Sequence, residues 1–157
     1  MILIDNTVLS NFALTGELTL LEYFCGGVGT TTGDVLNEFE RGEKDGIFIC
    51  SNLDWLNRLD LKDRHERVMF ANLCKKMGVG DASCLAVAIN RRYDLLSDDM
   101  TIRTIALREG IRVSGSIGVI LELIRIDKIS LEIGNKILGT FIKHGYFSPV
   151  DSLDELL

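Results

Sequence analysis

The sequence predicts a single-domain α/β fold, with a central, mostly parallel sheet of about five strands and helices on both faces. Short apolar runs alternate along the chain with stretches of helical periodicity, which is the order of elements in successive βα units. Several of these runs are unbroken, as in strands that are buried on both faces of a parallel sheet. The length of 157 residues fits one domain with a substantial core.

The first half of the chain alternates predicted strands and helices. "MILI" is a buried strand, "NTVLSNFALTG" is a helix that ends at Gly16, and "ELTLLEYF" is a short helical run. The Thr-rich "GVGTTT" is the second strand, and the next helix runs from about Asp34 to Arg41 and stops at Gly42. "GIFIC" is the third strand. An irregular stretch and the amphipathic helix "DRHERVMFANLCKKMG", which ends at Gly78, complete this half.

Helices with strong apolar periodicity fill the second half of the chain. "DASCLAVAINRR" begins at Asp81 and has apolar or small residues at i, i+3, i+4 and i+7, while "YDLLS" and "IRV" are strands. The tail "SPVDSLDELL" differs in composition, so we predict a folded domain over 1–147 and a C-terminal tail over 148–157. Three further helices are predicted from the sets Ile102, Ile105 and Ala106; Ile117, Ile120, Leu121 and Ile124; and Gly134, Ile137, Leu138 and Phe141.

The composition predicts a soluble, cytoplasmic protein that does not capture nucleic acid by charge alone. No stretch approaches the roughly 20 apolar residues that span a bilayer. Cys25, Cys50, Cys74 and Cys84 form no close pair with metal-ligand spacing, so we expect reduced thiols in apolar surroundings. The net charge of -6 argues against a broad basic patch for phosphate.

Acidic residues stand where the predicted strands and helices meet. Asp5 follows "MILI", Asp98 and Asp99 follow "DLLS", Glu38 lies in the helix after the second strand, and Asp81 starts the helix that leads into "DLLS". Ligands of parallel sheets bind outside the carboxyl ends of the strands. We therefore expect these segments to converge on one cleft.

Each acid alone also has an ordinary structural explanation. Asp81 after a glycine suits a helix cap, and Glu38 suits a solvated helix face. The pair Asp98 and Asp99 suits a turn followed by a cap. Asp5 is different, because a carboxylate directly after a buried strand must be solvated, hydrogen-bonded or metal-bound.

Several carboxylates in one cleft repel one another unless a cation neutralises them. Oxygen ligands suit Mg²⁺ or Mn²⁺, and the isolated positions of His65 and His144 argue against zinc. One or two such ions can activate water and stabilise the leaving oxygen in phosphodiester hydrolysis. The ions would also offer a local positive target to the phosphate backbone.

Four blocks of the sequence together resemble the PIN domain, the nuclease family that includes the VapC-like toxins. They are "MILIDNTVLSNFALTG", "TTTGDVLNEFERG", "GDASCLAVA" and "LLSDDMTIRTIALREGIRVSGSIGVILELIRIDKIS". The segment "VSGSIGVILE" is similar to a prokaryotic branch of that family. The resemblance implies that the catalytic and metal-binding acids are Asp5, Glu38, Asp81 and Asp99.

The resemblance also implies supporting residues around these acids. Ser97 is the hydroxyl residue that precedes Asp99 with one residue between, and Thr7 can hydrogen-bond Asp5. The order Asn6-Thr7 departs from the family, in which Asn is often the second of the two residues. Asp98 is an additional acid, which we expect to cap the helix beginning near Met100 or to act in the outer shell of the metal.

The function that this resemblance implies is a Mg²⁺- or Mn²⁺-dependent ribonuclease, often a toxin that pairs with a small antitoxin and forms a homodimer. Two other classes remain open from the residues. A phosphotransfer domain would need a second aspartate two residues after Asp5, where the chain has Thr7. A catalytically silent module could keep the fold and the acids and bind only a protein or a nucleic acid.

Overall fold

Five parallel strands form one sheet in the computed structural model, which describes residues 1–27, 29–48 and 51–157. In chain order the strands are β1 (Ile2–Ile4), β2 (Gly29–Thr32), β3 (Leu56–Leu59), β4 (Asp94–Leu96) and β5 (Val113–Ser114). They lie in the order β3-β2-β1-β4-β5, and every pairing is parallel. The order places the first strand of the chain at the centre of the sheet.

Eight α-helices accompany the sheet in the described part of the chain. They are α1 (Asn6–Leu14), α2 (Leu18–Phe24), α3 (Gly33–Lys44), α4 (Arg64–Leu73), α5 (Val79–Arg91), α6 (Met100–Arg108), α7 (Ser116–Arg125) and α8 (Leu131–Lys143), followed by a short 3-10 helix (Leu153–Leu156). The prediction of a single-domain α/β fold with a parallel sheet of about five strands is confirmed. No helix of the described ranges is long and apolar enough to cross a membrane.

The third strand is not where the sequence predicted it. Residues 46–48 of "GIFIC" form a turn and a bend, and Ile49 and Cys50 lie outside the described residues. The strand is Leu56–Leu59, in the stretch that we interpreted as irregular. This edge strand pairs on one side with β2 and exposes its two central residues, so it has no unbroken apolar run. The apolar side chain of Phe48 instead packs on Phe39, with 4.5 Å between ring centroids.

Two helix ends also differ from the prediction. Helix α3 continues through Gly42 to Lys44. Gly42 serves side-chain packing rather than helix termination, because a Cβ there would lie 2.8 Å from the Phe48 ring. Helix α4 ends at Leu73, and Gly78 is the N-cap of α5. Gly16, with a φ of +74°, does follow the end of α1 as predicted.

The core is built from the central strands and the helices around them. Leu3 and Ile4 of β1 are fully buried, and Phe12 of α1 meets Phe141 of α8 edge to face at 5.3 Å. Cys84 is buried in this core as a free thiol. Cys25 and Cys74 are half-buried free thiols, and Cys50 lies outside the described residues.

The C-terminal tail packs on α8. Leu153 is fully buried, and its amide donates a 2.8 Å hydrogen bond to the side chain of Asn135. Asn135 also donates to Asp154 at 2.9 Å. The division into 1–147 and 148–157 stays a prediction.

Candidate active site

Asp5 is a fully buried carboxylate at the carboxyl end of the central strand. Its Oδ1 accepts the Asn6 amide at 2.7 Å, so that Asp5 is the N-cap of α1. Its Oδ2 accepts the hydroxyls of Thr7 at 2.9 Å and Ser97 at 2.8 Å. Burial raises the pKa of Asp5 above its usual value, against the opposing effect of these hydrogen bonds.

Thr7 and Ser97 connect Asp5 to the end of β4. The Thr7 hydroxyl accepts the Asp98 amide at 3.0 Å, and the Ser97 hydroxyl accepts the Asp99 amide at 3.2 Å. Each hydroxyl therefore donates to Asp5 and receives from the residues that follow β4. The two hydroxyls thereby fix the carboxyl end of β1 next to the carboxyl end of β4.

Asp98 and Asp99 point in different directions. Asp99 is the N-cap of α6, with its Oδ1 accepting the Ile102 amide at 2.9 Å. The carboxylate of Asp98 instead accepts the amide and the hydroxyl of Ser116 at the start of α7. The expectation that Asp98 caps the helix beginning near Met100 is therefore wrong, because the chain direction after β4 brings Asp98 against a helix that is distant in sequence.

Glu38 reaches the first turn of α5. Its Oε1 accepts the Gly80 amide at 2.9 Å. A Cβ at Gly80 would lie 2.6 Å from Cδ of Glu38, so that only glycine leaves space for this carboxylate. The sequence alone does not indicate this role of Gly80, although the residue stands directly before Asp81.

Asp81 is the point at which the charges of the other acids converge. Burial, and then the negative charges of Asp5, Glu38 and Asp99, raise its pKa from 3.8 to about 6. The charges of Asp5, Asp81 and Glu38 also contribute to the raised pKa of the buried Cys84 thiol, after burial itself. The four acids are thus electrostatic neighbours although they come from four segments of the chain.

The arrangement of these acids is open rather than closed around an ion. Across the described ranges, no group of three or more His, Cys, Asp or Glu side chains is placed so that it could hold a metal ion. Charges interact over about 10 Å in salt, whereas Mg²⁺ needs oxygens at about 2.0 to 2.1 Å. In the described residues, the carboxylates therefore share a cleft without any three of them standing around one ion position.

The chemistry of the donor set nevertheless fits a hard divalent cation. In the described residues, the hydrogen bonds to Asp5, Glu38 and Asp99 come from backbone amides and hydroxyls, with no Lys or Arg among the donors. Carboxylate oxygens are the ligands that such cations prefer. A cation would offset the negative charges that, after burial, raise the pKa of Asp81.

A cavity of about 940 Å³ lies elsewhere in the molecule, and none of the four acids lines it. Its walls come from the connection between α1 and α2, from the segment 51–55 and from His144. Among its described lining residues the carboxylates are Glu22 and Asp54, so the cleft with four acids is the better candidate for phosphodiester chemistry.

The structure brings together the four acids that were predicted as catalytic and metal-binding: Asp5, Glu38, Asp81 and Asp99. Thr7 and Ser97 lie against Asp5, and Asp98 turns away from the cleft. A family model described as a PIN domain matches residues 1–157 of the chain. No curated protein matches it.

Proposed function

This chain belongs to the PIN domain family, and from that premise we propose that it is a ribonuclease that depends on Mg²⁺ or Mn²⁺. PIN domains are generally nucleases and generally use divalent metal. The proposal adds RNA as the substrate, and it assigns metal binding and catalysis to Asp5, Glu38, Asp81 and Asp99. Thr7 and Ser97 support Asp5 in this assignment.

The observation that carries the proposal is that carboxylates from four segments share one cleft, where the donors to Asp5, Glu38 and Asp99 in the described residues are backbone amides and hydroxyls rather than cationic side chains. Burial, and then the negative charges of Asp5, Glu38 and Asp99, raise the pKa of Asp81 to about 6, so that its charged form is disfavoured relative to a free aspartate. A bound divalent cation would reverse this effect and favour all four carboxylates in their charged form. The cleft is therefore poised to bind a cation and to release protons when it does so.

The residues of the chain supply orientation, and a bound metal ion would supply the activation of water and the neutralisation of charge on the phosphate. Asp5 is held by two hydroxyls and one amide, which leaves its carboxylate little freedom to rotate. Glu38 is held by the Gly80 amide, and Asp99 by the Ile102 amide. Each of these three acids keeps a defined direction before a cation or substrate arrives.

The net charge of -6 makes cation binding important for the substrate as well. An acid cleft repels the phosphates of RNA when it is free of cations. Cations held in the cleft give the phosphate backbone a local attraction that the chain itself lacks. We expect RNA affinity and cleavage to depend on the same divalent ion.

We further propose that the protein forms a homodimer and serves as the toxin of a VapC-like pair with a small antitoxin. Apolar side chains exposed on α8 and in the tail support a partner surface: Ile133 is 45% exposed, Leu156 44% and Leu157 66%. Light scattering at high micromolar concentration tests the dimer, and a monomer would reject it. Co-purification with the product of a small neighbouring reading frame tests the pairing.

Cleavage of RNA by highly purified protein, with and without Mg²⁺ or Mn²⁺, tests the central proposal. Asp99→Asn should abolish cleavage and keep the fold, because Asn remains a good N-cap for α6 while it loses the negative charge. Ser130→Ala, prepared identically, is the control, since it removes the cap of α8 and leaves the acid cleft untouched. Cleavage that survives in Asp99→Asn, or that needs no metal, would argue for a contaminating nuclease.

A second candidate is compatible with the same arrangement of acids. No three of them in the described residues are placed to hold one ion, and a silent binding module would share this arrangement. Such a module would bind RNA or a protein without cleavage at millimolar metal. Calorimetry that detects no metal binding, together with absent cleavage, would favour it over the nuclease.

A further inference from the structure

We propose that Asp98, Asn11 and Ser116 form a clamp that positions the Asp99 carboxylate in the acid cleft. We call these three residues the Asp98 clamp. The inference rests on the proposed function, since it assigns a positioning role toward a metal-binding residue. It makes Asp98 a positioning residue and not a ligand.

Both oxygens of the Asp98 carboxylate accept hydrogen bonds from residues that are distant in the sequence. Its Oδ1 accepts the Ser116 amide at 2.8 Å, and its Oδ2 accepts the Ser116 hydroxyl at 2.6 Å and the Asn11 side-chain amide at 3.0 Å. The Tyr146 hydroxyl lies at 3.5 Å from Oδ1. Asn11 also donates to the Ser116 hydroxyl at 3.2 Å, which closes the clamp into a ring of contacts.

The backbone around the clamp is shaped to receive this carboxylate. Gly115, the N-cap of α7, is buried, and a Cβ at this position would clash with Oδ1 of Asp98. The carboxylate occupies the place of a capping side chain and satisfies the amide of Ser116 in the first turn of α7. Arg103 of α6 holds the segment before Asp98, since its Nη1 donates to the Ser97 carbonyl at 3.0 Å.

The clamp is connected to the cleft through the backbone on both sides of Asp98. The Asp98 amide donates to Thr7, whose hydroxyl donates to Asp5. Asp99 follows directly in the chain, and its amide donates to Ser97, which also donates to Asp5. With Asp98 held toward α7, Asp99 must point the other way, where its charge reaches Asp81.

Loss of the clamp should therefore loosen Asp99 without removing any acid of the cleft. Outer residues that orient ligands commonly change metal affinity by about 10-fold to 100-fold when they are removed. Asp98→Ala removes the acceptor for Ser116 and Asn11. Asp98→Asn is the conservative variant, because its side-chain oxygen can still accept the Ser116 amide, while its new amide can donate to a reoriented Ser116 hydroxyl and to the oxygen of a flipped Asn11 side chain.

The test measures Mn²⁺ binding by calorimetry and amide hydrogen exchange at Ile102, whose amide is bonded to Asp99. We expect Asp98→Ala to weaken Mn²⁺ binding by about 10-fold or more and to speed exchange at Ile102 more than in α5. Asp98→Asn should keep most of the affinity. Ser130→Ala, the matched loss of a helix cap outside the cleft, should change neither quantity.

Asp98→Ala with wild-type Mn²⁺ affinity and unchanged exchange at Ile102 would overturn the clamp and leave Asp98 a structural cap of α7. If Asp98→Ala does not fold, Ser116→Ala gives the same test, because it removes the hydroxyl and keeps the amide bond. Wild-type protein that binds Mn²⁺ but cleaves no RNA would refute the proposed ribonuclease activity. The Mn²⁺ affinity of Asp98→Ala relative to the wild type would then still test the clamp. If the wild type binds no Mn²⁺, the proposed function fails, and exchange at Ile102 alone decides the clamp.

Discussion

At the scale of the residue, the absence of a side chain at Gly80 determines where the carboxylate of Glu38 lies. The carboxylate of Glu38 occupies the space beside the Gly80 Cα and accepts the Gly80 amide. Any Cβ would push the carboxylate away, and the flexible Glu38 side chain would move before the helix did. Gly80 therefore controls the position of an acid that is 42 residues earlier in the chain.

We predict that Gly80→Ala weakens Mn²⁺ binding by about 10-fold, since it displaces one acid of the cleft and leaves all four charges present. Gly139→Ala is the matched control, because Gly139 lies in α8 with no atom near its Cβ position. The control should gain about 0.5 to 1 kcal/mol of stability and keep the metal affinity. Calorimetry and urea unfolding measure both quantities. Equal Mn²⁺ affinity in the two variants would contradict the prediction.

Asp81 predicts how stability depends on pH in the absence of metal. Its pKa is raised to about 6, so the folded state holds this proton more tightly than the unfolded state does. The stability of the metal-free protein should therefore fall as the pH rises from about 4 to about 6. Burial also raises the pKa of Asp5, so its ionisation likewise lowers the stability of the folded state as the pH rises. Glu66 has the opposite effect, because its hydrogen-bonded ion pair with Arg91 lowers its pKa. Its contribution to stability is lost as the pH falls to and below its usual pKa of 4.5.

Urea unfolding of the wild type and of Asp81→Asn, without metal and across this pH range, measures the effect. The variant should be the more stable protein near pH 7, and the difference should vanish toward pH 4. Asp151→Asn, at an exposed carboxylate of the tail, should follow the wild type throughout. A difference in unfolding free energy between Asp81→Asn and the wild type that stays constant at every pH would show that the pKa of Asp81 is not raised in the folded state.

At the scale of the element, the tail and α8 form one packed unit through Asn135. This side chain accepts the Leu153 amide and donates to Asp154, and Leu153 is fully buried beside it. We predict that Asn135→Ala destabilises the protein by about 1 to 3 kcal/mol, because it leaves a partly buried amide without its partner. Urea unfolding measures the change.

The matched control for Asn135→Ala is Asn72→Ala on α4. Asn72 is exposed, and its side chain receives a bond from Lys75 alone among the described contacts. Both changes replace an Asn of a helix by Ala, so their propensity effects have the same sign. Equal stabilities of the two variants would mean that the tail does not depend on Asn135.

At the scale of the whole molecule, metal binding should appear as thermal stabilisation. A ligand that binds only the folded state adds about 2.7 kcal/mol at a concentration 100 times its dissociation constant. For a domain of this size, each 1 kcal/mol raises Tm by roughly 2 to 4 °C. We predict that Mg²⁺ or Mn²⁺ raises Tm in calorimetric scans of the wild type and much less in Asp99→Asn. An equal rise in both proteins would place the bound metal outside the acid cleft.

The fold class and the candidate acids could be predicted from the sequence because both follow from local patterns. Apolar runs and helical periodicity identify strands and helices one at a time, and their alternation predicts a parallel sheet. Parallel strands end on the same side, so Asp5 after β1 and Asp99 after β4 could be expected in one cleft. Glu38 and Asp81 needed the family resemblance as well, since each has an ordinary explanation on its own helix.

The tertiary structure alone decided the features that depend on contacts between distant segments. Strand β3 exists because Leu56–Leu59 pairs with β2, and its own sequence carries no apolar run. Hydrophobic pattern alone does not separate Asp98 from Asp99, for which the spacing of the family motif was needed, and only the approach of Ser116 shows that Asp98 turns toward α7. Gly80 matters because Glu38 lies against it. Hydrophobic patterns are local along the chain, whereas strand pairing, capping by a distant side chain and steric room depend on which segments meet.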